Sequence, residues 1–337
     1  METLQLSADA ADLDKAAAWI KNGEVVGMPT ETVYGLAADA CNPEAVAKVF
    51  AAKGRPADNP LIVHIADMDM LPELVCEIPP LAYRLAETFW PGPLTMIFKK
   101  QDCIPAITSG GLNTVGIRMP AHPAALELIR LAGVPIAAPS GNVSGYPSPT
   151  TAAHMVRDMS GKIAAIVDGG DCTVGVESTV ISFEDENTVR ILRPGGVTQE
   201  QLLTIAEHVV IDPAILHELQ EGQSVRSPGM KYQHYSPAAH VVLAEGDYAG
   251  FCSYVNSHAG NNTYALVFDG EGEGLSVPAM TFGKDDRQQA QQLFAALREL
   301  DERGACNVFV RAPEPSGIGL AVYNRLIRAA GFEVIQV

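Results

Sequence analysis

Short apolar runs alternate along almost the whole chain with stretches whose apolar residues recur every three or four positions, and this alternation confines the protein to an α/β architecture. VVGMP, LIVHI (61–65), LTMIF (94–98), VGIRM (115–119) and PIAAP (135–139) read as strands, with further strands predicted near 163–167, 175–183 and 188–192. A helix is predicted from Asp9 to Asn22, with Leu13, Ala16, Ala17 and Ile20 on one face and Gly23 ending it. Asn42 as N-cap and Pro43 at the first helical position start a second helix that runs to Ala52. Two more are predicted near 80–89, stopped by Trp90-Pro91-Gly92-Pro93, and near 123–132.

The rhythm breaks at 211–238. There SPGMKYQHYSP (227–237) brackets three aromatic side chains, Tyr232, His234 and Tyr235, with prolines and a glycine. Such a composition does not suit a core element. A shorter α/β pattern follows: HVVLA (240–244), YALVF (264–268), a long helix near 285–302, CNVFV (306–310), a helix near 318–330 and FEVIQV. We therefore expect a first domain over 1–210, a linker over 211–238 and a smaller second domain over 239–337, a division that suits a chain too long for one ordinary core.

Composition narrows the partners. With 47% apolar and 19% charged residues, disorder is excluded as the dominant state. The formal charge of −17 works against a broad grip on nucleic acid phosphates, yet is compatible with a local basic cleft for a small anion such as a nucleotide. Six cysteines lie scattered without CxxC spacing, which argues against structural zinc and fits a reducing compartment. The first twenty residues lack the pattern of a signal peptide, and no apolar run approaches the ~18 residues of a membrane span. A cytoplasmic location is the expectation.

Five clusters could carry chemistry. PTETVYGLAA (29–38) follows a strand and places Thr30, Thr32 and Tyr34 at its exit, where open α/β sheets bind ligands. The same hydroxyls could instead serve their own backbone. In AKGRPADNPLIVH (52–64), Lys53 and Arg55 fall just past a helix end, followed by Asn59 and a strand carrying His64. Two cations on one Gly- and Pro-rich loop suit phosphate oxygens, although cations at a helix C-terminus are also ordinary. Arg118 lies inside the apolar VGIRM strand that Thr114 precedes. A buried arginine needs a partner, either a structural carboxylate or that of a small ligand.

APSGNVSGYPSPT (138–150) sets Ser140, Asn142, Ser144 and Ser148 among glycines and prolines, which lets backbone N–H groups approach an anion. VGVESTVIS (174–182) and ILRPGG (191–196) offer Ser178 and Arg193 from neighbouring strands. No Walker or GxGxxG fingerprint, HExxH, Ser-His-Asp set or carboxylate cage for a metal accompanies them. Hydroxyls, amides and cations at strand ends fit electrostatic stabilisation of phosphoryl chemistry better than a protein nucleophile.

Together, PTETVYGL, Lys53-Gly54-Arg55, Ser140 with Asn142, RPG at 193–195 and SPGMKYQHYSP resemble the L-threonylcarbamoyladenylate synthase family in order and spacing. The resemblance is to its long form and spans nearly the whole chain. It implies a YrdC-like catalytic domain with a twisted mixed sheet, plus a smaller Rossmann-like α/β domain. It implies condensation of L-threonine, bicarbonate or CO2, and ATP, with Mg2+ arriving with the nucleotide and no metal site in the protein. The product would pass to a separate tRNA threonylcarbamoyl transferase, so tight direct tRNA binding is not expected.

By the same resemblance Thr32, His64, Arg118, the backbone of Ala138 and Ser178 form the threonine site. Arg55, Asn59, Thr114, Ser140, Ser148 and Arg193 contact ATP, and Lys53, Arg55, Ser140 and Asn142 form a catalytic tetrad. Tyr232, His234 and Tyr235 belong to a segment that folds over the nucleotide. Three alternatives stay open: an RNA-binding module, a carbamoyl transferase such as related domains of larger proteins, and a nucleotide sensor without turnover.

Overall fold

The computed structural model describes residues 2–57, 59–216 and 235–337. Its first part is a mixed eleven-stranded sheet. The strands are β1 (Leu4–Ser7), β2 (Val26–Met28), β3 (Gly35–Asp39), β4 (Ile62–His64), β5 (Leu94–Lys99), β6 (Thr114–Arg118), β7 (Ile136–Ala137), β8 (Ala165–Asp168), β9 (Thr179–Phe183), β10 (Thr188–Arg193) and β11 (His208–Ile211). They lie in the order β1-β8-β2-β3-β7-β4-β6-β5-β9-β10-β11.

Helices α1 (Ala10–Lys21), α2 (Pro43–Lys53), α3 (Leu71–Leu74), α4 (Pro80–Phe89), α5 (Pro123–Ala132), α6 (Ala152–Met159) and α7 (Gln199–Leu202) intervene. Alternate residues of a strand serve opposite faces. Leu36 and Ala38 of β3 join the cluster under α2, α4 and α6, whereas Ala37 joins the one under α1 and α5. Helices thus cover both faces. Local chemistry sets their limits: the Asn42 side chain accepts from the N–H groups of Glu44 and Ala45, and Gly54 closes α2 at φ 63°.

The second part is a five-stranded, all-parallel sheet of β12 (His240–Glu245), β13 (Thr263–Val267), β14 (Ala279–Thr281), β15 (Asn307–Arg311) and β16 (Val334–Gln336), in the order β14-β13-β15-β12-β16. Helix α8 (Tyr248–Ser257) packs on one face, and α9 (Asp286–Glu302) and α10 (Gly319–Ala329) on the other. Both sheets are the kinds expected, one mixed and one Rossmann-like.

The face carrying α9 and α10 also meets the first part. Val33 and Val176 share its apolar cluster, and Leu320 of α10 joins the first core. Gly175, at φ 80°, lies against the backbone of Ala290 and Gln291, leaving no room for a side chain. Arg298 of α9 grips the buried Asp158 carboxylate through two nitrogens, at 3.0 and 2.5 Å, and donates to the Pro147 carbonyl at 2.6 Å.

Three local expectations need correction. Residues 35–39, not among the predicted strands, form a strand antiparallel to β2, so PTETVYGLAA is a hairpin connection plus its returning strand. The strand predicted over 175–183 begins at Thr179, because Gly175 turns the backbone and residues up to Ser178 run as a loop. Lys53 is the last residue of α2 rather than a residue beyond it.

Candidate active site

Strand pairing makes β4, β6 and β10 point the same way: β4 and β6 are parallel, and the chain of pairings from β6 through β5 and β9 restores that direction at β10. Each ends in a basic side chain or a histidine, namely His64, Arg118 and Arg193. A cleft opens at these strand ends. Thr32, Lys53, Arg55, His64, Arg118, Ala138, Ser140, Asn142, Ser178, Arg193 and Tyr235 all line it.

Thr32 and Arg118 form one corner. The Arg118 guanidinium donates to the Thr32 hydroxyl at 3.0 Å and to the Gly92 carbonyl at 3.3 Å, and its Nη2 lies 2.6 Å from the Glu31 carboxylate. Thus the buried strand arginine has its structural carboxylate and still borders the cleft. The Thr30 hydroxyl donates to the Val33 carbonyl at 2.6 Å and meets that of Thr32 at 2.8 Å, which fixes the hairpin connection. His64 pairs across from Arg118 in the sheet. Burial, with the Arg118 charge adding to it, pushes the imidazole down to about 3, so it is neutral, and its Nδ1 has no hydrogen-bond partner among the described residues.

At the opposite wall Arg193 donates to the Ser178 carbonyl at 2.9 Å and to its hydroxyl at 3.2 Å, while Thr95 meets that hydroxyl at 2.8 Å. Gly195 is required because a Cβ there would collide with the backbone of Glu177 to Thr179. Burial holds the Arg193 guanidinium below its ordinary value.

The Ser140–Asn142 loop forms the floor. Lys53, 2% exposed, donates to the carbonyls of Ser140 and Asn142, the latter at 2.7 Å, and to Asn142 Oδ1 at 3.3 Å. Three acceptors occupy its ammonium donors, so Lys53 braces this loop where the spacing had pointed to phosphate oxygens. Burial and then the Arg55 charge hold it well below the usual lysine range. Ser140 donates to Asn142 Oδ1 at 2.6 Å, and the Asn142 amide donates to the carbonyls of Val143 and Tyr146, both at 2.8 Å.

Other candidates stand apart. Ser148 is buried and reaches the cleft only through its 2.6 Å hydrogen bond to Glu177. Asn59, 1% exposed, has an amide without a partner among the described residues and does not border the cleft. Thr114 starts β6, about 13 Å along the strand from Arg118, and does not line it either. Tyr232 and His234 lie outside the described residues. Tyr235 stacks on Phe294 of α9, ring centroids 5.3 Å apart.

Glu31 and Glu177 escaped the sequence reading. Glu31 lies between Thr30 and Thr32 and Glu177 between Val176 and Ser178, so neither stands in an apolar run that would have marked it as buried. Burial works against the Glu177 carboxylate, yet the Arg325 and Arg193 charges and the Ser148 hydrogen bond outweigh it and hold it below its usual range. The cleft is basic on balance within an acidic protein, with Lys53, Arg55, Arg118 and Arg193 against Glu177 on its lining.

Residues 18–195 match the family described as telomere recombination, and residues 197–331 match the C-terminal domain of threonylcarbamoyl-AMP synthase. The chain is 44% identical to the threonylcarbamoyl-AMP synthase of Pyrococcus abyssi, over 96% of its own length and 95% of the relative's. It is 43% identical to that of Bacillus subtilis, over 99% and 97%. The solved structure of P. abyssi Sua5 complexed with L-threonine covers 100% of both chains at 40% identity, with a TM-score of 0.91. Strand-end cations, a matching two-part fold and similarity from end to end agree: the chain belongs to the threonylcarbamoyl-AMP synthase family, in the form that carries both domains.

Proposed function

We propose that the chain condenses L-threonine, bicarbonate or CO2, and ATP into threonylcarbamoyl-AMP and pyrophosphate, in the cytoplasm. The observation that carries this reading is the convergence of buried Arg118, Arg193 and Ser178 with Arg55 on one cleft. Arg118, with Thr32 beside it, would take the threonine carboxylate, and neutral His64 offers an uncharged nitrogen to the same ligand. Ser178 and the Ala138 backbone complete that pocket. Arg55 and Arg193 would meet the phosphates, where a planar fork suits phosphoryl oxygens.

The threonine amine adds to CO2 with loss of a proton, giving a carbamate. A carbamate oxygen then bonds to the α-phosphorus of ATP as the bond to pyrophosphate breaks. Fixed cations around the cleft stabilise charge that builds on the phosphoryl oxygens. Mg2+ enters as part of the MgATP substrate. Glu31 and Glu177 are each committed to an arginine, so the triphosphate and water are left to ligate the ion. Tyr235, held on α9 at the rim, would help exclude water from the labile carbamate and mixed anhydride. The product would then pass to a separate tRNA-modifying transferase.

Pyrophosphate release from ATP, measured with bicarbonate and either L-threonine, L-serine, glycine or no amino acid, tests this. Release that requires threonine and bicarbonate together is the expected result. ATP binding without such release would overturn it in favour of a nucleotide sensor.

A further inference from the structure

Arg325 is fully buried in the middle of α10, yet its charge is directed out of the second domain. Its Nε donates to Glu177 Oε2 at 2.9 Å, and its Nη1 donates to the Pro194 carbonyl at 2.7 Å. Glu177 borders the cleft, adjoins Ser178 and accepts from Ser148 at 2.6 Å through its other oxygen. Pro194 follows Arg193 directly. One guanidinium thus spans the two segments, 177–179 and 193–195, that form the Arg193 wall, and it also lies 5.6 Å from the centre of the Tyr235 ring.

The segments also meet through the β9–β10 pairing, the Thr179 hydroxyl on the Val197 backbone and the hydrogen bonds of Arg193 to Ser178. Among the hydrogen bonds described, only those of Arg325 tie the Glu177 carboxylate to the 193–195 segment. A buried ion pair is a poor source of net stability but a good means of fixing geometry, because each partner left alone is heavily penalised.

We propose that Arg325, supplied by the second domain, is a positioning residue for the ATP-handling wall of the cleft, acting through Glu177 and the Pro194 carbonyl. The proposal rests on the reading of this cleft as the ATP site. It gives the second domain a direct part in the reaction: the catalytic domain builds the wall, and α10 sets its shape.

The test uses the full chain with Arg325→Met, Arg325→Lys, Glu177→Gln and the Arg325→Met/Glu177→Gln double variant. Steady-state pyrophosphate release gives KM for ATP and for threonine, and affinity for a non-hydrolysable ATP analogue is measured directly, alongside Tm. Arg325→Met should raise KM for ATP at least about tenfold, with weaker analogue binding, and that for threonine several-fold less. The difference arises because Pro194 adjoins Arg193 directly, whereas Ser178 of the threonine pocket keeps its hydrogen bonds to Thr95 and Arg193. Glu177→Gln should move in the same direction, and the double variant should be no worse than Arg325→Met, since the two act as one unit. Arg325→Lys should recover part of the loss, because an ammonium can meet Glu177 but cannot fork to Pro194.

A fall in Tm with both KM values unchanged would overturn the proposal, as would equal rises for ATP and threonine or losses that multiply. If Arg325→Met does not fold, Glu177→Gln tests the same pair from the other domain. If the unaltered chain binds the analogue but releases no pyrophosphate, the reaction assigned above fails, and analogue affinity still decides the role of Arg325.

Discussion

Arg118 and Arg311 occupy similar places in two different sheets: each is the last residue of an inner strand with a parallel neighbour, β6 in the first domain and β15 in the second. Arg118 opens onto the cleft. Arg311 is closed off by its own domain, donating to the Gly246 carbonyl at 2.7 Å, lying 3.3 Å from Glu271 and within 5.6–6.0 Å of the rings of Phe268, Phe251 and Tyr248. Both domains are helices on sheets, and strand exits in such folds are natural ligand sites. The loops decide which exit is used. In the first domain they are hydroxyl- and amide-bearing segments that leave a cleft, whereas in the second an acidic glycine-rich turn and aromatic rings fill the same position.

This contrast can be broken at four points. Arg118→Met should lower kcat/KM for threonine-dependent pyrophosphate release about a thousandfold, roughly 4 kcal/mol, as expected for removing one side of a buried charged contact. A loss below tenfold would leave the two strand-end arginines indistinguishable. Arg298→Met removes the buried grip of α9 on Asp158 and should cost about 3 kcal/mol in urea unfolding. Separate transitions for the two domains should then become visible, and an unchanged single transition would show that the domains do not depend on this contact.

His64 sharpens the comparison through pH. Folded His64 resists protonation down to about 3, whereas the unfolded imidazole binds its proton near 6.5, so the unfolded state holds more protons between these values. Stability should therefore fall as pH falls, by about 2 kcal/mol from this group alone between pH 7 and 5. Denaturant unfolding of His64→Gln should lack that increment, and equal pH dependence in both proteins would refute the assignment. Smallest of all, Arg311→Met should cost about 1 kcal/mol of stability, the scale of a partly exposed pair, and leave turnover within twofold.

Much of this arrangement was legible in the sequence, for reasons that differ by element. Long amphipathic helices with caps, such as α2 with Asn42, Pro43 and Gly54, declare themselves locally. So do buried strands such as β4, β5 and β6. The strand β3 was hidden because Gly35-Leu36-Ala37-Ala38 has no alternation, and only its antiparallel partner β2 makes it a strand. The site residues on strand ends could be found because an arginine in an apolar run has to be explained. Ser148 and Asn59 show the limit: both are buried, but one meets the cleft through Glu177 and the other does not line it. Arg325 could not be placed, since its partners stand 148 and 131 residues away.

That separation has a consequence for how the protein is made. Chains emerge N-terminus first, and domains tend to fold in that order. When the large sheet forms, Glu177 has the Ser148 hydroxyl and the Arg193 charge near it, but the guanidinium that pairs with it directly, that of Arg325, has not yet been synthesised. The wall that carries Arg193 and Glu177 therefore lacks its direct brace until translation delivers α10. The last brace of the site is thus also one of the last parts of these two domains to be made.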